Sequence, residues 1–158
     1  MWAQIYFDDI SSTFTVLSSV TYKAMPGSTA FTGESFSNDY FKTEPADSTS
    51  ARIIIGRLGN GVARAQWAAS FTGNQGNNTY HIAMFRNGTK LENLSAERKL
   101  GTAGDIGNAN SHGFIKVKNG DSIDIRVNAG GTTGVQVTFN HCNMNLQLIT
   151  TSTHFGTV

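Results

Sequence analysis

Asn-Gly pairs stand between alternating apolar and polar runs at Asn87-Gly88 and again at Asn119-Gly120, and this punctuation constrains the chain to an all-β fold. Both residues of such a pair tolerate positive φ, which a tight type I′ hairpin turn requires. The runs around them read as strands: Tyr80 to Arg86, Lys90 to Leu100, Ser111 to Lys118, then Ser122 to Val127 after the Gly120-Asp121 turn, and finally Val135 to Ile149. Leu91 to Lys99 has some helical spacing, but its place between two strands favours an extended chain.

Side chains alternate across a strand with period two, so the sequence also assigns faces. In Val62 to Phe71, the residues Ala63, Ala65, Trp67, Ala69 and Phe71 fall on a core face, and Arg64 and Gln66 fall on the other. In Ser111 to Lys118, Gly113, Ile115 and Val117 share one face, which leaves Phe114 on the outer face with His112 and Lys116. Val135, Val137 and Phe139 are out of phase with Met144, Leu146 and Leu148, so a β-bulge is expected near His141-Cys142-Asn143.

The N-terminal half is less regular. Trp2 to Phe7 and Thr13 to Tyr22 read as strands, and Arg52 to Leu58 reads as an interior strand around Ile53-Ile54-Ile55. Between them, Ala24 to Ser50 reads as a long, loosely structured connection carrying Phe31, Phe36, Tyr40 and Phe41. Connections of that length are often binding surfaces. These aromatics either stack on sugars or pin the connection to the sandwich.

A chain of 158 residues suits one domain. A formal charge of +1, with charged residues at 15%, gives no field strong enough to hold a nucleic acid or an anionic bilayer. No stretch reaches the ~20 apolar residues of a spanning helix, and Asp8 and Asp9 follow the short apolar start where a secretory leader would continue. Cys142 is the only cysteine, so an internal disulfide is excluded. His81, His112, His141 and His154 are scattered, and His141 and Cys142 would point to opposite faces of a strand, so no zinc site is expected. Asp121 and Asp124 read as a turn acid and a strand-surface acid, since the loop lacks the oxygen ligands calcium wants. No nucleophile elbow or Ser/His/Asp ordering is present, and the expectation is a protein without enzymatic activity or cofactor.

The segments GNGVARAQWAASFTG from Gly59, TYHIAMFRNGTKL from Thr79, ERKL from Glu97, HGFIKVKNGDSIDIRV from His112 and VQVTFNHCNMNLQLI from Val135 resemble, in order and spacing, the tumour-necrosis-factor-like and complement-globular-head jelly roll. They are particularly similar to versions found in bacteriophage virion proteins. Ala63 stands where the family's glycine-led strand usually has a tyrosine. The resemblance covers Gly59 to Ile149 best and implies a jelly-roll β-sandwich that assembles as a homotrimer.

Such trimers bury the face of one sheet near the three-fold axis, which makes Arg64, Gln66, His112 and Phe114 the candidate trimer-interface residues. The resulting expectation divides the chain into an N-terminal attachment segment at 1–12, a jelly-roll domain at 13–149 and a C-terminal tail at 150–158. Trp2, Ile5, Tyr6 and Phe7 are the attachment candidates, and Phe36, Tyr40 and Phe41 the loop-surface candidates for a receptor. The function implied is a capsid decoration or cement protein of a bacteriophage virion, assembled in the host cytoplasm, with the major capsid protein or another virion protein as partner. The alternative is a receptor-binding tip or adhesion module that engages a host-surface glycan. A secreted signalling ligand is a third class, and the missing leader speaks against it.

Overall fold

The computed structural model of the chain describes residues 1–7, 12–16, 22–25, 32–45, 50–130 and 134–151. Twelve strands occupy most of them, and no helix occurs among the described residues. In order they are β1 (Trp2–Phe7), β2 (Ser12–Val16), β3 (Lys23–Ala24), β4 (Thr32–Ser35), β5 (Phe41–Glu44) and β6 (Arg52–Ile55), followed by β7 (Gly61–Gly73), β8 (Asn78–Arg86), β9 (Thr89–Leu100), β10 (Ile106–Val117), β11 (Ser122–Ala129) and β12 (Val135–Thr151). The first sheet runs β10-β7-β12-β1-β4, with β2 also paired to β12. The second runs β5-β6-β11-β8-β9, with β3 also paired to β11.

The core lies between the two sheets and follows the alternation. Ala63, Ala65, Trp67, Ala69 and Phe71 of β7 are buried, as are Tyr80, Ile82 and Met84 of β8 across from them. Phe71 meets Tyr80 edge-on at 5.4 Å between ring centroids and packs on Phe139 at 5.8 Å. Each such ring contributes about 1.5–3 kcal/mol by leaving water. Trp67 spans the layers by donating its indole Nε1–H to the Leu94 carbonyl of β9 at 2.9 Å.

The β8–β9 hairpin turns on Asn87 and Gly88, with φ of 50° and 79°, and closes on the Arg86–Thr89 pair. Imperfect alternation along β8 has a cause: the register shifts between Ala83 and Phe85, and Ile82, Ala83, Met84 and Phe85 are all buried. The expected bulge in β12 lies between Phe139 and His141, where the register against β7 slips and Cys142, Met144, Leu146 and Leu148 return to the core.

Three expectations are corrected. Asn119-Gly120 is not a hairpin turn, because β10 pairs with β7 while β11 pairs with β6, β8 and β3. It is the corner that carries the chain from one sheet to the other, and only Gly120 takes positive φ. The buried Asp121 carboxylate holds this corner by accepting the Lys118 N–H, and the Gly120 N–H bonds the Ile55 carbonyl.

Within 24–50, β4 and β5 are regular strands, one in each sheet, and Phe41 is wholly buried in the core. It is a packing residue of β5 and not a loop-surface candidate. Phe31 lies outside the described residues.

The N-terminal segment is also part of the sandwich. β1 lies between β12 and β4, with Ala3 and Ile5 in the core, so Ile5 is not available for attachment and the sheet does not begin at residue 13. Alternation places Ala3 and Ile5 on one side of β1 and leaves Trp2, Gln4 and Tyr6 on the other.

Candidate assembly face

The outward side of the first sheet is built from rungs fixed by strand register. Phe114 of β10 stands beside Arg64 of β7, then Gln147 of β12, then Trp2 of β1. The next rung is His112, Gln66, Asn145, Gln4 and Glu34, and the one after it Asn110, Ala68, Asn143, Tyr6 and Thr32. The sheet thereby brings together Arg64, Gln66, His112 and Phe114 as two adjacent cross-strand pairs, all on the outer face.

The chemistry of this face is unusual for a solvent surface. Ile106 and Phe114 are each 64% exposed and Ile149 is 50% exposed, while formal charge among these rungs is confined to Arg64 and Glu34. Much of the remainder is amide. No side-chain hydrogen bond ties Gln66, Asn108, Asn110, Asn143, Asn145 or Gln147 to the rest of the described residues. Gln4 donates to Glu34 at 2.9 Å. A shallow depression of about 590 Å³ lies among Tyr6, Ser70, Asn108, Asn110, His141 and Asn143.

Other sequence candidates are dispersed. Trp2 is 40% exposed on the same face, and Tyr6 is half-buried beside the depression. Phe7 pairs through its main chain with Cys142. Phe36 is 64% exposed between β4 and β5, whereas Tyr40 is partly buried and packs on the core. Asp124 is buried rather than at the strand surface. It receives the Arg126 Nε–H at 2.9 Å and a second guanidinium N–H at 3.0 Å, and Arg126 lies 4.6 Å from the Phe85 ring centroid.

Cys142 and His141 do point to opposite sides of β12: the thiol is buried, and burial pushes it up from 9.0 to about 12. Among the described residues no group of His, Cys, Asp and Glu is arranged to hold a metal ion. His154 lies outside them.

Apart from Gln66, the amides were absent from the sequence-based candidates. Their signal was present as Asn108, Asn110, Asn143, Asn145 and Gln147 at alternate positions, a period-two polar stripe on two strands that pair with β7.

No known family's sequence model matches the chain, and no curated protein matches it. Solved structures do match its fold. The chain is similar to the Eiger TNF of S. frugiperda with a TM-score of 0.61 at 10% identity, covering 99% of this chain and 98% of that one. It is also similar to the globular domain of the zebrafish complement 1qA protein with a TM-score of 0.58 at 13% identity, covering 95% of this chain and 97% of that one. With two antiparallel sheets superimposable on theirs over nearly its full length, the chain has the jelly-roll fold of tumour-necrosis-factor and complement globular-head domains.

Proposed function

We propose that the protein acts without catalysis, as a homotrimeric knob whose subunits meet across the outer face of the first sheet. The observation that carries this reading is the combination of Phe114, 64% exposed, with a flat field of amides whose hydrogen-bonding groups find no partner within the described residues. Exposed aromatics on a weakly charged surface mark a site of association. Burying an amide without a partner costs about 1–3 kcal/mol, so a covering surface must itself present donors and acceptors. A second copy of this face does so.

The setting we propose is the bacteriophage virion, with the trimer decorating and cementing the capsid. Support for it comes from the resemblance of the Gly59 to Ile149 segments to versions of this domain in virion proteins. Clamping neighbouring shell subunits adds buried interface and opposes their separation.

Light scattering tests assembly: the expected mass is three times the 17.0 kDa chain, and a stable single-chain mass at micromolar concentration overturns it. Particles stripped of the protein should then lose resistance to heat, and unchanged resistance would remove the cementing role. Phe36 favours a second reading, a tip that engages a host glycan, because an exposed aromatic ring on a loop suits stacking on a sugar. Glycan-array binding that disappears in Phe36→Ala would select that reading over the first.

A further inference from the structure

Among the described residues several cations form no ion pair, and three of these converge on one place. Lys42 and Arg52 meet Glu44, Arg57 meets Asp39, Lys90 meets Glu92, and Arg126 meets Asp124. Arg86, Lys116 and Lys118 have no carboxylate partner among the described residues, yet they line one cleft of about 390 Å³ at the end of the sandwich, together with Asn87, Thr89 and Asp121. In a chain with net charge +1, such convergence is a local feature and not a reflection of bulk charge.

The cleft is built on fixed parts. Arg86 follows Tyr80, Ile82 and Met84 along the inward side of β8, and at the open end of the sandwich it crosses to donate one guanidinium N–H to the Lys116 carbonyl of β10. That bond anchors one guanidinium N–H, and the others have no partner among the described residues. Below it, Asn87 clamps the two corners together: its amide donates to Asp121 Oδ1 at 2.7 Å, and its carbonyl oxygen accepts the Ser122 N–H at 2.8 Å. Asp121 is the one carboxylate among the described lining residues. It is 2% exposed, and its second oxygen is engaged by the Lys118 N–H at 3.0 Å, so its acceptor sites are turned into the protein.

We infer that this cleft is a binding site for a tetrahedral oxyanion, phosphate or sulfate, either free or as the terminal group of an ester. An oriented guanidinium offers a fork of N–H donors that matches two oxygens of such an anion. Two lysines add point charges on the adjacent rim, and the concavity concentrates their field. The Thr89 hydroxyl, with no partner among the described residues, supplies a neutral donor at the mouth. The described walls of the cleft all come from one chain, and of its three cations Lys116 stands on β10 two residues beyond Phe114, at the edge of the proposed assembly face.

The test is an amide-resolved NMR titration of the protein in its solution assembly, at low ionic strength, with sodium sulfate and sodium phosphate against chloride of matched ionic strength. The expected result is saturable shifts centred on Asn87, Gly88, Thr89 and Lys118. The exposed double variant Lys116→Gln/Lys118→Gln should weaken binding by about tenfold. Lys99→Gln, which removes an exposed cation of β9 outside the cleft, should leave it unchanged. Shifts that fail to saturate, that chloride reproduces, or that survive the double variant overturn the proposal. A parallel titration with glucose 6-sulfate and glucose separates the sources. Binding of the ester but not the plain sugar identifies an esterified ligand, and binding of the inorganic ions alone identifies a free one.

Discussion

The indole of Trp67 and the carbonyl of Leu94 form the hydrogen bond that joins strand β7 of one sheet to strand β9 of the other through the middle of the sandwich. Both residues are buried, so neither group has water as an alternative. Trp67→Phe keeps an aromatic ring but orphans the carbonyl and leaves a void. The expected loss is about 2–4 kcal/mol of unfolding free energy, read from a denaturant titration. A loss below about 0.5 kcal/mol would mean that the bond is not stabilising.

Phe114 and its neighbour Ile115 give opposite expectations. Phe114→Asp, on the outer face, should convert a trimer to single chains in light scattering, because burying an unpaired carboxylate costs about 3–5 kcal/mol. The isolated fold should keep its stability to within about 0.5 kcal/mol. Ile115→Ala, on the core face and 5% exposed, should lower the stability of each chain by about 2–4 kcal/mol.

Cys142 makes a pH prediction. Burial raises its folded-state value from 9.0 to about 12, so the folded thiol holds its proton where the unfolded thiol has lost it. The stability it contributes is fully present below pH 9 and is lost as pH rises toward 12, by ~1.4 kcal/mol per pH unit in that window. Cys142→Ala should flatten that part of the stability-against-pH curve. The native thiol should also react with a disulfide reagent only at the rate of unfolding.

Gly73 ends β7 where a Cβ would stand 1.8 Å from the Tyr80 hydroxyl. Tyr80 is wholly buried and cannot swing out of the way. Gly73→Ala should therefore cost about 1–3 kcal/mol, and pairing it with Tyr80→Phe should recover part of the loss in a double-mutant cycle. Additive losses would show that the two positions do not meet.

Much of this architecture is legible from the chain alone where period two is strict. Ala63 through Phe71 and Gly113 through Val117 declare their faces, and the phase change after Phe139 declares its bulge. Phe114 is placed correctly because an aromatic in an otherwise polar phase has one explanation in an alternating strand.

The failures have a common physical origin in pairing between distant parts of the chain. Phe41 looks like a loop aromatic until Ile55 is its neighbour across β5 and β6, and Ile5 looks available until Met144 stands beside it in β12. Asn119-Gly120 carries the local signature of a hairpin, but which sheet each flanking strand joins is decided by β7 and β8. Asp124 alternates as a surface residue, and the two-pronged bond from the guanidinium of Arg126 offsets the cost of its burial.

The position of β12 has a consequence for how the molecule comes into being. It is the last strand among the described residues, yet it lies in the middle of its sheet, between β7 on one side and β1 and β2 on the other. During synthesis the opening strands must therefore wait for residues more than a hundred positions later before their main-chain groups are matched. Contacts of such long sequence separation slow folding and prolong the time for which partly made chains can stick to one another. Emergence of β12, rather than of the first strands, sets the moment at which this sandwich can close.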